Sequence, residues 1–461
     1  MNKKIFVIFD YKYIYDSLET LIPNYEKVYI SSINSKNINN IKGIKNKNND
    51  VYFIGGISAL HTSFVFSKKI KGIYLFLTKK EYDNTNTMKK YMKKGLDYYT
   101  YIIDSNNSSN NSSNIISSNT LAKIVYNGCI QYPYYNIYYK FDKKHILKIV
   151  KNFKPVIYNP KNIAEIPQNM RKFTFDKYDD SNDDSNDGSN NSSYFIIKDD
   201  WKKNEELNNT TDYFSESVRV ICSFGTSLSP LVYWENNRAE ILENTIKKYK
   251  DLNIYNIREY LFEKTRFCNN FRISVGLAVL NHFKPKKWLD ISSGWGDRLL
   301  CALLYKVDKY VSTDPNKDLH PCYNKIIQTF VPKAQRNKIT IHKKGFEDLD
   351  LKDEMFDIVF SSPPFFTLEK YSSYEDNSIT HYKDEKVWCE KFFIKSLIKC
   401  YNHLEKDGHM ILYMGGSPYV FDQMFKLNNV MSYKGVIYFY DNKPRAMYVW
   451  KKLKDDKIDK L

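Results

Sequence analysis

Lys287-Trp288-Leu289-Asp290-Ile291-Ser292-Ser293-Gly294-Trp295-Gly296-Asp297-Arg298 opens the stretch that decides the fold, and Phe356-Asp357-Ile358-Val359-Phe360-Ser361-Ser362-Pro363-Pro364-Phe365-Phe366 closes it. Each is a short apolar run, as expected of a buried strand, followed by turn chemistry. The first turn carries Gly294 and Gly296, which let a backbone lie close against a ligand. Between the two, Tyr310-Val311-Ser312-Thr313-Asp314 is a third strand that ends in a carboxylate. Strand, glycine turn, helix, strand and acid form the layout of a nucleotide-type cofactor site at the carboxyl edge of a parallel sheet. At that place Asp314 can accept two hydrogen bonds from ribose hydroxyls.

Outward from this stretch, the chain of 461 residues is long enough for two or three domains and a large core. Helices are expected over residues 230–248, 257–264 and 274–283, leading into the glycine turn, and over 384–404 beyond it. Residues 218–222 read as a strand. A strand over 409–414, a helix near 420–425 and a closing hairpin over 435–440 and 446–450 would make the sheet mixed. Toward the N-terminus, residues 5–9, 28–30, 51–54 and 73–77 are short strands of a separate smaller α/β unit. Residues 145–150 read as a helix and 155–158 as a strand. The segment 32–50 reads as a loop. Two tracts, 104–119 and 179–193, are made mostly of Ser, Asn and Asp, too polar to offset the entropy of ordering.

The formal net charge is +17. A basic surface suits a polyanion, since contacts to phosphates release counterions. Coding bias toward Lys, Asn, Ile and Tyr (39 Tyr in all) accounts for the same charge equally well. The seven cysteines contain no CxxC pair, so neither a disulfide framework nor a zinc site is expected. No run approaches the length of a membrane span, and residues 5–9 are too short for a signal-peptide core. A soluble, intracellular protein with no bound metal is the expectation.

Ser362-Pro363-Pro364-Phe365 resembles the catalytic motif of the S-adenosylmethionine-dependent amino-methyltransferases, Asn/Asp/Ser-Pro-Pro-aromatic. The resemblance covers roughly residues 250–450. It implies a Rossmann-like seven-stranded sheet in the C-terminal half and S-adenosylmethionine as cofactor. It also implies methyl transfer to an exocyclic amino nitrogen of a DNA base, with RNA as the second nucleic-acid partner. That nitrogen is a poor nucleophile, because its lone pair is delocalised into the ring. The family positions it with a side-chain oxygen, a Pro carbonyl and a stacking aromatic. A duplex base must be flipped out to reach such a pocket.

Carried onto this sequence, Ser362 is the side-chain acceptor, Pro363 the carbonyl acceptor, Pro364 the second motif proline and Phe365 the stacking ring. Asp290, Ser292, Gly294 and Gly296 match the cofactor turn, Asp314 the ribose acid and Glu347 the adenine contact. Residues 266–267 match the segment that touches the methionine end. Two departures stand out: Ser292 replaces the usual first glycine, and the catalytic motif opens with Ser. The cofactor motif precedes the catalytic one, the order more usual for adenine enzymes, whereas Ser is commonest among cytosine enzymes. Adenine and cytosine therefore both stay open. RNA-base or protein-glutamine methylation and an inactive binding subunit are the alternatives.

The resulting division is residues 1–103 as the N-terminal α/β unit, 104–119 as a low-complexity linker and 120–178 as a partly folded segment. An acidic low-complexity linker follows over 179–210, then a helical lead-in over 211–285, the catalytic domain over 286–452 and a loose charged tail over 453–461. Residues 371–381, polar and aromatic, read as a substrate loop or a plain surface loop. Trp295 reads equally as a cofactor cover or as packing on the sheet, and His320 as a helix-start residue.

Overall fold

The computed structural model describes residues 4–9, 26–30, 50–55, 72–78, 97–103, 132–158, 195–198, 201–250, 254–366, 368–375, 377–440 and 444–461. The expectations for residues 32–49 and for both low-complexity tracts lie outside them. The chain divides into two units, residues 1–140 with 233–264, and residues 141–232 with 265–461.

The first unit contains a five-stranded sheet of β1 (Lys4–Phe9), β2 (Glu26–Ile30), β3 (Asp50–Gly55), β4 (Gly72–Thr78) and β5 (Asp97–Ile103). Its order is β2-β1-β3-β4-β5, and every pair is parallel. Val7, Ile8, Phe53 and Ile54 are fully buried, as central parallel strands require. The fifth strand adds to the four expected from sequence. The helix Ile254–Lys264 and most of the helix Pro230–Tyr249 also belong to this unit.

The second unit is a three-layer α/β structure. Its strands are β6 (Val156–Tyr158), β7 (Phe195–Lys198), β8 (Ser223–Phe224), β9 (Lys287–Asp290), β10 (Lys309–Thr313), β11 (Ile339–His342), β12 (Phe356–Ser361), β13 (Glu369–Lys370), β14 (Leu404–Tyr413), β15 (Ser432–Tyr440) and β16 (Pro444–Lys451). The main sheet runs β11-β10-β9-β12-β14-β16-β15-β7-β6. The strands β11 to β14 of this order are parallel, and β16 lies antiparallel between β14 and β15. The seven strands from β11 to β15 form the expected Rossmann-like sheet, and β7 and β6 extend it to nine.

Successive residues of the central strands face opposite layers. Trp288, Tyr310, Ile358, Phe360 and Ile411 join one core with the helices Ile273–Phe283, Asp297–Tyr305 and His320–Phe330. Leu289, Val311, Val359, Met410 and Leu412 join the other, with Trp388, Phe393, Leu397 and Val420. Near-continuous apolar strands are what a sheet covered on both faces demands. Trp288 is fully buried, stacks on Phe360 at 5.3 Å and donates its indole N–H to the Phe360 carbonyl at 2.8 Å.

Four sequence expectations are corrected. Residues 218–222 are not a strand. The helix Asp212–Arg219 takes the first two of them and a turn the next two, because Asp212, Ser215, Glu216 and Arg219 make one buried polar face at helical spacing. The interval 179–210 is not all linker, since Phe195–Lys198 pairs with β15 and Trp201–Asn208 is helical. The segment 384–404 is two α-helical pieces, Glu385–Trp388 and Lys395–Asn402, around a π turn over Cys389–Ile394. Residues 453–461 are docked. Tyr401 donates to Asp456, Asn402 Nδ2 donates to the Ile458 carbonyl at 2.8 Å, and Ile458 N–H donates to Asn402 Oδ1 at 2.7 Å.

Removing residues 454–461 therefore destabilises the second unit by about 2–3 kcal/mol, on the basis of three hydrogen bonds at about 1 kcal/mol each. Urea unfolding of the truncated chain checks this, and an unchanged midpoint would restore the loose tail.

Candidate active site

Asp290 ends β9 at the centre of the sheet and is wholly buried. Its Oδ2 accepts from Arg298 Nε at 2.9 Å and from the Tyr310 hydroxyl at 2.8 Å. Its Oδ1 accepts from the Ser361 hydroxyl at 2.7 Å and the Ser292 N–H at 3.3 Å. Asp290 therefore does not line the cavity described below. It holds the turn from beneath, a correction to its expected place in direct contact with a cofactor.

The turn that follows needs both of its glycines. Gly294 and Gly296 have φ of +56° and +95°, where a side chain is strained. A Cβ on Gly296 would also sit 2.8 Å from Ile326 Cδ1. Gly294 N–H donates to Asp314 Oδ2 at 3.1 Å. Ser293 and Thr313 stitch the turn to the end of β10, through Ser293 N–H to the Thr313 carbonyl at 2.8 Å and Thr313 Oγ1 to the Ile291 carbonyl at 2.8 Å. Gly296 then begins the helix Asp297–Tyr305.

Asp314 also accepts from the Asn316 N–H at 2.9 Å and lies 3.0 Å from the Tyr323 hydroxyl. Burial drives its carboxyl up from 3.8 to about 7, against the opposing pull of these donors. Asp297 is raised to about 7 for the same reason, although Thr211 and the Phe271 N–H donate to it. His320 opens its helix and sits 2.8 Å from the Asp314 carbonyl.

The Ser-Pro-Pro-Phe turn follows β12, the neighbour of β9. Its first serine receives the Ser292 hydroxyl on its carbonyl at 2.8 Å, so the two motifs are bonded directly. The preceding Ser361 pins the same strands through Asp290 and by accepting the Ile291 N–H at 3.2 Å. Phe365 packs edge-on against Tyr413 at 5.9 Å.

A cavity of about 380 Å³ opens between the motifs, within the size range of small-molecule sites. Ser292, Gly294, Asp314, Ser362, Pro364 and Phe365 line it. Gly296 and Pro363 shape the turns behind this wall. Glu347 stands away from it, with one carboxylate oxygen taken by the Tyr382 hydroxyl and the other buried without a partner among the described residues. Its turn is held by Lys399, which donates to the carbonyls of Phe346, Glu347 and Leu349 at 2.6–2.9 Å.

Other lining residues escaped sequence reasoning. Asn269, Asn270 and Phe271 line the cavity, in place of residues 266–267. Asn270 donates to Asp212 at 2.9 Å and leaves its Oδ1 buried with no partner among the described residues. Asn377 Nδ2 is in the same condition. Trp295 lines the cavity and its ring meets Tyr371 at 5.9 Å. Residues 371–375 and 377–382 are tied down by Tyr374 to Asp318 at 2.8 Å and by Tyr382 to Glu347.

No family model matches the sequence, and no curated protein matches it. Among solved structures, a methyltransferase from Pyrococcus furiosus is similar at 17% identity, with 40% of this chain and 84% of that one covered and a TM-score of 0.29. TrmN from Thermus thermophilus is similar at 13% identity and a TM-score of 0.31. There the match spans 40% of this chain and 49% of the relative, about half its length. The glycopeptide N-methyltransferase MtfA matches at 12% identity and a TM-score of 0.29 over 39% of this chain and 95% of that one. Likenesses of this size leave the fold to rest on the strand order and the chemistry on the cavity. Among the described residues, no helix is long and apolar enough to cross a membrane.

The raised carboxyl of Asp314 has a defined sign. Its folded pKa of about 7 lies above the ordinary 3.8, so ionising it disfavours the fold. Its contribution to stability is greatest below that ordinary value and is lost as pH rises to about 7. Asp314→Asn removes this dependence, so the variant gains on the wild type in denaturant midpoint between about pH 4 and about pH 7. A constant difference would contradict the assignment.

Proposed function

We propose that the chain is an S-adenosylmethionine-dependent methyltransferase acting on an exocyclic amino nitrogen of a DNA base. The observation that carries this reading is the 2.8 Å bond from Ser292 to the Ser362 carbonyl, which joins the glycine turn and the Ser-Pro-Pro-Phe turn at one cavity wall. Asp314 on one side and Phe365 on the other line the same space.

The residues present fit the cofactor. Gly294 offers a backbone free of side chain, Asp314 a carboxylate for ribose hydroxyls, and Asn270 and Asn377 orphaned polar atoms. When bound, the cofactor supplies an electrophilic methyl group on a sulfonium. Ser362 and Phe365 then position the amine, the first by accepting an N–H and the second by stacking on the base. Phe365 is held for this by Tyr413 behind its ring and by Tyr371, whose hydroxyl accepts the Phe365 N–H at 3.2 Å. Trp295, against Tyr371 at 5.9 Å, adds an apolar surface to the cavity lining. The +17 charge is in keeping with a nucleic-acid partner.

The test is transfer of labelled methyl from S-adenosylmethionine to DNA, RNA and bulk protein in parallel, with nucleoside analysis of the product. Methylated adenine or cytosine in DNA is expected. Ser362→Ala and Phe365→Ala should lower transfer about a hundredfold or more while keeping cofactor binding. Label confined to RNA or protein would replace the substrate. No label anywhere, with cofactor bound, would overturn the reading.

A further inference from the structure

Glu369 lines the same cavity, yet it belongs neither to the glycine turn nor to the Ser-Pro-Pro-Phe motif. It begins β13 and pairs with Phe224 of β8. Its N–H donates to the Phe365 carbonyl at 3.3 Å, so its strand is tied to the motif itself. Its carboxylate lies beside the Tyr371 hydroxyl, which accepts the Phe365 N–H at 3.2 Å. One partly buried tyrosine thus bonds the backbone of the motif's aromatic residue and stands beside Glu369.

A hydroxyl is a weaker acceptor than a carboxylate. Ser362 brings only a hydroxyl, and its carbonyl already receives Ser292. An amine that gains positive charge during transfer is helped most by an anionic acceptor in a water-poor site. Glu369 is the carboxylate nearest the motif in sequence, and the β8–β13 pair holds it at the cavity wall.

We propose that Glu369 accepts an N–H of the substrate amine and takes its proton as the methyl group is transferred. This rests on the methyltransferase reading. The nitrogen lone pair forms the new N–C bond, and the C–S electron pair stays on sulfur, turning the sulfonium into a thioether. The N–H proton passes to the Glu369 carboxylate. Sulfonium, amine and carboxylate, neutral in sum, become thioether, methylated amine and carboxylic acid, also neutral.

Burial raises Glu369 to about 7, with the neighbouring Tyr371 hydroxyl opposing. The groups facing it are Tyr371 on its own segment, Cys222 before β8 and Cys268 before the helix Ile273–Phe283, with Arg219 acting on both cysteines. The basic form therefore gains as pH rises through neutrality, which sets the direction of the pH profile.

Two measurements test the assignment on the full chain. Single-turnover methyl transfer is followed from about pH 5.5 to about pH 9 on whichever of DNA, RNA or protein the wild type labels. The wild-type rate should rise through about pH 7. Glu369→Gln should be slower by about 10²–10⁴-fold with a flat profile and unchanged cofactor affinity, and Glu369→Asp should keep a rising profile. Independently of turnover, the carboxyl carbon resonance that is missing in the Gln variant should titrate near neutrality. It should also move when a single-stranded DNA oligonucleotide of mixed sequence is added. A Gln variant within about threefold of wild type with the same profile, or a resonance that titrates below about 5, would overturn the assignment and leave the methyltransferase reading standing. A wild type that labels nothing would overturn both.

Discussion

The buried pair of Asp290 and Arg298 is the constraint on which the rest of the site depends. The two side chains meet at 2.9 Å with exposures of 0% and 5%, so neither charge can turn to water. Removing one partner would strand the other, typically at a cost of about 3–5 kcal/mol. Around this pair the remaining lone pairs are filled by Tyr310 from β10, Ser361 from β12 and the Ser292 N–H from the turn. One carboxylate thus ties β9 to its two neighbouring strands and to the loop above them. Arg298 also reaches up to the Ser292 carbonyl and lies 5.6 Å from the Phe271 ring. The cavity wall inherits its rigidity from beneath.

The adjacent serines divide the work. Ser361 faces inward and clamps β12 to β9, while Ser362 faces the cavity and gives its carbonyl to Ser292. A serine where a glycine is usual at 292 therefore has a structural partner here. The same arrangement holds the first residue of the Ser-Pro-Pro-Phe turn and the glycine turn at a fixed spacing.

What was legible in sequence was local. Strand, turn and acid lie within residues 287–314, and the Ser-Pro-Pro-Phe turn sits on one strand end, so pattern and motif found them. Glycines at 294 and 296 and an acid at 314 announce themselves by residue type. What was not legible depends on partners far along the chain. Asp297 is satisfied by Thr211 and the Phe271 N–H, and Asp314 by Tyr323. Glu369 becomes a cavity residue only through β8, which consists of two residues, Ser223–Phe224. Residues 218–222 read as a strand, yet 218 and 219 end the helix Asp212–Arg219. The buried face of that helix is polar, and apolar periodicity cannot register such a face. The docked tail was missed because its anchors, Asp456 and Ile458, stand among charges that read as solvated.

The most direct test of the central claim, that this cavity is a cofactor site built on the Asp290 scaffold, is calorimetric titration of S-adenosylmethionine into the wild type and Asp314→Asn. The structure predicts one equivalent bound by the wild type, and affinity lower by about tenfold or more in the variant, the equivalent of about 1.5 kcal/mol for charge-assisted hydrogen bonds. A wild type that binds none, or a variant that binds equally well, would contradict it.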